Sequence, residues 1–362
     1  MEILPTSLGT RPRLAVEVRA EGVVAARAED ATALLTAVAR ADLGEGAVAP
    51  GLKADNIVNR AAVVAAVRTA LDGVAGSGRG RDVTVVVPDA AVRVLLLDFD
   101  QLPGKAAEAL PVVRFRLKKL LPFDTDDAVL SYQVMSSGKG GVQVVAVAIP
   151  KSVLDEYEGV VTAAGYLPGA VLPSTLAALA GLDEAEAPAL VVNAGPRGVT
   201  TAIVKGGVLL LHRSVDMAGE VPVETVMAVP LVDRERSAQE WAQQEGLGPG
   251  GYDRFDAEAS MQTQVLEQAE MRELAATAAA REVTQAVSVA AAYFEDTLQV
   301  APEVVLAAGT TGAETLAAML QESGLEGLRV REMVDAGMLE AGAVTASVSR
   351  SWLASVRGAL KN

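Results

Sequence analysis

The chain has 362 residues, enough for more than one domain with its own core, and apolar residues make up 51% of it while aromatics make up 3%, so Val, Leu and Ala must do the packing. Acids outnumber bases 46 to 31 for a net charge of −15, a field that repels phosphate polyanions and argues against a nucleic-acid partner. There is no cysteine and one histidine, His212, which excludes disulfides, thiolate metal sites and a cysteine nucleophile and leaves little room for histidine-dependent zinc or triad chemistry.

The first residues, MEILPTSLGTRPRLAVEV, lack a basic segment followed by an apolar one, so no signal peptide is expected. Apolar runs such as VVAVAIP at 144–150 fall far short of the ~20 residues of a membrane span. The expectation is a cytoplasmic chain that meets a membrane through a partner or a surface helix.

RLAVEV (13–18) and GVVAARA (22–28) read as two strands joined by a tight turn. A helix follows over 59–72, with Gly73 at the position that favours a C-terminal glycine. VTVVVP (83–88) and VRVLLLDF (92–99) read as strands, the first apolar throughout and therefore buried on both faces. Residues 99–170 form their own pattern: a helix over 105–121 that stops before Pro122, strands at 128–134 and 142–149 joined by SSGKGG, and a helix from Ser152 with Asp155 at capping-box spacing. After Pro173 come a short Ala/Leu helix and three strands separated by glycine turns over 189–215. Residues 233–258 are polar around GLGPGG and read as a mobile insertion near 220–260. A helical pattern over 260–298, readable as one helix or two, precedes VVLAAGTTGAETLAAMLQESG, a strand, glycine loop and helix. The chain closes on a helix over 343–360.

One pattern occurs twice. LAVEVRAEGVVAA from Leu14 and LVVNAGPRGVTTA from Leu190 are both strand, turn, glycine, strand, and one offset brings Gly22 onto Gly198, Glu17 onto Asn193 and Arg19 onto Gly195. Two unrelated hairpins would also look alike; a duplicated fold would instead present both turns to a shared cleft. A phosphate-gripping turn needs an acid to anchor a metal and a glycine that lets backbone N–H groups approach the phosphate. The first turn keeps the acid, Glu17, but has Arg19 at the glycine position; the second keeps Gly195 but has a neutral Asn193. Arg19 offers a guanidinium fork in partial compensation.

With these motifs in this order, the chain resembles the actin-like ATPase superfamily, and within it the PilM family of the type IV pilus inner-membrane platform. RFRLKKLLPFDTDDAVLSYQV (114–134) is similar to that family's helix, "PF" and "YQV" strand, VVAVAIPKSVLDEYEGVVTAAGYLPGAV continues it, and VVLAAGTTGAETLAAML is similar to its adenosine loop. The resemblance implies an α/β fold of two RNase-H-like lobes around a nucleotide cleft, with a small α+β subdomain inserted in the first lobe. Its expected limits are 1–98 for the first lobe, completed by the helix at 343–362, 99–170 for the subdomain, and 171–342 for the second lobe.

The resemblance further implies a cytoplasmic scaffold, peripheral on the inner membrane, that captures the cytoplasmic N-terminal tail of a PilN-like bitopic membrane protein at the subdomain. Through it the chain meets a pilus assembly motor indirectly, and self-association stays open. The expected cofactor-binding positions are Glu17, Arg19, Gly22, Asn193, Gly195, Gly198, Gly309 and Gly312, for ATP or ADP with Mg2+ held weakly if at all. The departures at 17–19 and 193–195 imply weak or absent hydrolysis, with no catalytic residue assigned. An active ATPase of the same fold is the alternative. The expected partner-binding positions are Arg114, Arg116, Lys119, Phe123 and Tyr132; the cations among them read first as a solvated helix face near the C-terminal dipole and second as a basic edge beside a peptide groove or anionic lipid. Asp124, Asp126 and Asp127 read as a loop and helix cap rather than a metal cluster. The last helix, with Val344, Val348, Trp352, Leu353, Val356 and Leu360 on one face, is expected to dock back on the first lobe rather than bind membrane.

Overall fold

A computed structural model describes residues 12–76, 80–138, 140–183, 187–217, 254–325, 327–343 and 348–361. The chain divides into two compact units, Met1–Asp216 with Glu282–Asn362, and Met217–Arg281. In the second unit the described residues from 254 on are helical and belong to α5 (Arg254–Leu298), which continues into the first unit. The insertion expected near 220–260 lies outside the described residues up to 253.

The first unit holds two five-stranded sheets of one design. β1 (Leu14–Val18), β2 (Gly22–Ala28), β3 (Leu35–Asp42), β4 (Asp82–Val87) and β8 (Leu167–Pro173) lie in the order β3-β2-β1-β4-β8. β9 (Ala189–Gly195), β10 (Gly198–Lys205), β11 (Val208–Asp216), β12 (Val304–Gly309) and β13 (Arg329–Glu332) lie in the order β11-β10-β9-β12-β13. In each sheet the first strand pairs antiparallel with the second and parallel with the fourth. The repeat read in the sequence is kept in register, with Glu17 opposite Val24 in one hairpin and Asn193 opposite Thr200 in the other.

The central strands are buried on both faces, which is why LAVEV and ALVVNA read as apolar runs rather than alternations. On one side of the first sheet α1 (Arg60–Ala75) and α3 (Lys151–Ala163) pack Val63, Val67, Leu71, Val153, Tyr157 and Val160 against β1, β2 and β4. On the other side a shared core joins the two sheets, built on two short helices, α4 (Ser174–Ala180) and α7 (Ala354–Leu360). α7 is buried all round and is entered through a 3-10 turn at Arg350–Leu353; Trp352, Leu353, Val356 and Leu360 face the shared core. Even Arg357 is inside, its guanidinium donating to the carbonyls of Gly181 (2.9 Å) and Thr32 (3.2 Å). The last helix therefore docks into the fold, starting at 350 rather than 343; Val344 lies outside the described residues.

α4 and α7 cross closely enough that a methyl at Gly358 would stand 1.8 Å from the Ala177 carbonyl oxygen. Glycine there is a requirement of the crossing. Gly73 has a similar reason. It does not end α1, which runs on to Ala75 with Gly76 (φ +64°) beyond it; a Cβ at Gly73 would meet Ala39 Cβ at 2.9 Å. Nor does Ser152 cap α3. That helix begins at Lys151 after Pro150, and no side chain caps it.

The inserted subdomain is a three-stranded antiparallel sheet, order β5-β7-β6, of β5 (Arg93–Phe99), β6 (Ala128–Gly138) and β7 (Gly141–Pro150), covered by α2 (Ala106–Leu117). Its strand pairing moves the expected limits of 99–170. β5 pairs with β7 along its whole length and so belongs to the insertion, whereas α3 packs into the first core and β8 completes the first sheet. The subdomain has a small core of its own in Leu97, Val113, Leu117, Val144 and Ala146.

Candidate functional site

The two matched hairpin turns lie at the same ends of β1 and β9, so their side chains converge between the sheets. Glu17 is fully buried, because β1 is a central strand and α7 lies across it. Its carboxylate is met from three directions: Arg19 Nη2 stands 2.8 Å from Oε1, Ser174 Oγ donates to Oε1 at 2.6 Å, and Ser355 Oγ donates to Oε2 at 2.5 Å. Arg19 is turned inward along the same strand end, its Nη2 also donating to Ser174 Oγ (3.3 Å) and Ser355 Oγ (3.4 Å). Its guanidinium carbon lies 5.9 Å from the Trp352 ring centroid, and Arg40 stacks at 3.9 Å from the same ring. Such cation–ring contacts gain strength where water is excluded.

The second turn is spent in the same way. Asn193 Nδ2 donates to Ser174 Oγ (2.9 Å), Thr175 Oγ1 (3.0 Å) and Asp89 Oδ2 (3.3 Å). Asp89, in the 3-10 turn after β4, accepts from the Thr175 amide at 3.0 Å and from its hydroxyl at 2.5 Å. Glu17, Arg19, Ser174, Asn193, Thr175 and Asp89 are thus one chain of charge-assisted bonds running from the first sheet to the second. Four separate segments supply it, and Ser355 of α7 joins it from a fifth. His212, across from Asp89 on β11, is held neutral by burial, which lowers its pKa against the opposing pull of the Asp89 charge.

The glycine loop after β12 closes on the same turn. Gly309 has φ +92°, and a side chain there would lie 2.3 Å from the Ala194 carbonyl oxygen and 2.6 Å from Asn193 Oδ1. The amides of Thr310 and Thr311 donate to Ala194 O at 2.8 and 3.0 Å. Gly195 is needed for the same approach, a Cβ there meeting Thr310 Oγ1 at 2.8 Å. Gly312 (φ +77°) opens α6 (Ala313–Glu322), whose first amide donates to Glu332 Oε1 at 2.9 Å. Gly22 and Gly198 sit at the starts of β2 and β10, where a Cβ would press on the carbonyls of Ala41 (2.8 Å) and Val215 (3.1 Å).

Sequence reading found the two turns but missed Asp89, Ser174, Thr175, Ser355 and Trp352 as their partners. The available signals were a Pro-Asp pair ending a fully apolar strand and a Ser-Thr pair opening a helix after Pro173.

The subdomain residues divide into two groups. Arg114 is half-buried, donates to the Thr125 carbonyl and lies 4.0 Å from Asp126, so it ties the loop after α2 to the helix. Asp124 accepts from the Asp126 amide at 3.0 Å and so caps the 3-10 turn there. Tyr132 is half-buried and leans on the small subdomain core, and Phe123 is half-buried in the connecting loop. Arg116 and Lys119 are exposed and, among the described residues, form no ion pair.

No protein-family model and no curated protein matches the chain. Among solved structures, a chain of the PilM-PilN type IV pilus biogenesis complex matches with a TM-score of 0.68 at 19% identity, over 96% of this chain and 98% of that one. Ethanolamine utilization protein EutJ from Carboxydothermus hydrogenoformans matches with a TM-score of 0.44 at 10% identity, over 96% and 89%. The cytoplasmic domain of EpsL, an inner-membrane component of the type II secretion system of Vibrio cholerae, matches with a TM-score of 0.37 at 14% identity, over 60% and 74%. The end-to-end overlap with the first of these shows that this chain shares its fold, in keeping with the α/β class and the duplicated sheet design expected from the sequence.

Proposed function

We propose that this chain is a cytoplasmic scaffold of a type IV pilus assembly machine, or of a related secretion machine, and that it does not depend on ATP turnover. The observation that carries the scaffold reading is the near-complete overlap with a chain solved in the PilM-PilN complex. On this reading the partner is the cytoplasmic N-terminal tail of a PilN-like bitopic inner-membrane protein, and the chain is peripheral on that membrane through it. The tail is held beside the inserted subdomain, with α2 as one wall, Arg116 and Lys119 as its basic edge, and Phe123 and Tyr132 bracing the strand side. Arg114 serves this site by holding the loop that carries Phe123.

The junction between the sheets supports the second half of the proposal. A metal-bound triphosphate needs a free acid for the metal or its waters and free amides for the phosphates. Here Glu17 already accepts two hydrogen bonds and is paired with Arg19, Asn193 supplies a carboxamide already engaged, and the Thr310 and Thr311 amides are given to Ala194. Arg19 is committed to Glu17 and is not free to act as a phosphate fork. As they stand, these residues do not fit magnesium and a triphosphate, and no hydrolytic step is assigned to them.

The test is direct binding of a fluorescent peptide copying the tail of a PilN-like protein to the purified chain. Saturable binding is expected, weakened by Arg116→Glu with Lys119→Glu and by Phe123→Ala. Absence of binding, or binding indifferent to all three changes, contradicts the assignment.

A further inference from the structure

We infer that the outer face of α2 is a docking surface for an anionic lipid bilayer, beyond the capture of a protein tail. Ala109, Val113 and Leu117 turn one side of α2 onto the subdomain sheet. At 100° per residue this puts Phe115 on the opposite side, and it is 71% exposed, more than any other large apolar side chain among the described residues. Val112 shares the flank and Leu120 follows the helix end, 38% and 49% exposed. Phe115 and Val112, about 60° apart on the helix, form an exposed apolar pair, and such exposed apolar groups mark an interaction surface.

The charges around them select the occupant. Arg116, Lys118 and Lys119 are exposed and without an ion-pair partner among the described residues, with Lys119 Nζ 5.8 Å from the Phe115 ring centroid. Arg114, toward the inner flank, is the cation of this helix that meets an acid, Asp126. A chain with a net charge of −15 therefore sets two cations without an acid partner among the described residues, Lys118 and Lys119, on the side of the helix that carries Phe115, the most exposed aromatic ring among those residues. The ring and aliphatic side chains suit the boundary between headgroups and acyl chains, and the cations reach lipid phosphates by extending along it. The Phe115 side of α2 points away from the subdomain core, opposite the side that walls the proposed tail site, so it suits a planar surface.

The test is co-sedimentation of the full chain with vesicles of phosphatidylcholine alone or with roughly a third phosphatidylglycerol. Binding is expected to the anionic vesicles only, and to disappear when salt shortens the Debye length to about 3 Å. Lys118→Glu removes two unit charges and should weaken binding about 25-fold, at about fivefold per charge. Phe115→Ser should weaken it further with an unchanged circular dichroism spectrum, since the ring is solvent-facing. Neither residue belongs to the proposed tail site, so peptide binding measured without lipid should be unchanged in both variants; loss there assigns the face to a protein partner and overturns the inference. It is equally overturned if the chain ignores anionic vesicles at low salt, or binds them as well with both changes. A failed peptide assay with intact vesicle binding would instead count only against the tail.

Discussion

Replacing Arg19 by methionine asks whether charge holds the two sheets together. Methionine keeps an apolar stem of similar reach and removes only the guanidinium. Glu17, with no exposed surface, would be left with the hydroxyls of Ser174 at 2.6 Å and Ser355 at 2.5 Å as its donors. Removing one partner of a buried ion pair costs about 3–5 kcal/mol, because the other charge stays desolvated. The two hydroxyl bonds, present with or without Arg19, keep the stranded carboxylate partly satisfied. The loss should therefore sit near the lower figure, about 3 kcal/mol. Adding Glu17→Gln removes the stranded charge, so the double variant should recover at least about 1 kcal/mol relative to Arg19→Met alone. Urea unfolding followed by far-ultraviolet circular dichroism reads both numbers, and added salt should change them little because the pair is buried. An Arg19→Met chain within about 0.5 kcal/mol of wild type, or a double variant in which the two losses simply add, refutes the reasoning.

Other consequences are open to measurement. Gly358→Ala sets a methyl against backbone at the α4–α7 crossing and should cost about 3 kcal/mol or more, while Gly337→Ala, with open space around it, should be silent in the same urea titration. The Tyr166 phenol donates to Asp72 Oδ1 at 2.7 Å, and burial, that bond and the Asp72 charge push its pKa up to about 12. Its contribution is thus complete below pH ~10 and is lost as pH rises from there to about 12, so the stability gap between wild type and Tyr166→Phe should close over that window; a constant gap contradicts it. His212, the one histidine, has its pKa lowered by burial, so its imidazole resonances should keep the neutral pattern below pH ~6.5, and stability should fall as pH drops below that value, where the unfolded chain binds a proton that the folded one does not.

The parts of this fold that were legible in the sequence are those written in local pattern. The two glycine-matched hairpins stand out because each central strand is buried on both faces and each second strand opens on a glycine, Gly22 or Gly198. α2 and the β6–β7 hairpin were readable because helical spacing and strand alternation follow one another directly, but the helix ends at Leu117, in a turn over 118–120, rather than running to 121 at Pro122. β3 and β8 were not, since LTAVARAD mixes edge polarity into a strand and LPGAVLP carries a glycine and two prolines that argue against one. Their absence misplaced the subdomain limits, because without β8 nothing pulls residues 151–173 back into the first lobe. The junction was legible only in half. Glu17, Arg19, Asn193 and Gly195 could be picked out as departures from a phosphate-gripping pattern, but what they bond to depends on Asp89, Ser174, Thr175 and Ser355, which tertiary packing brings in from three further segments. The same holds for Gly73 and Gly358, whose reasons are neighbouring surfaces rather than turns.

The account rests on a junction whose acid, amide and backbone donors are already taken by the protein. Calorimetric titration of the purified chain with ATP, with and without magnesium, alongside phosphate release, tests this most directly. The prediction is weak or no binding, no gain from magnesium and no turnover, whereas tight magnesium-dependent binding with steady phosphate release would contradict it.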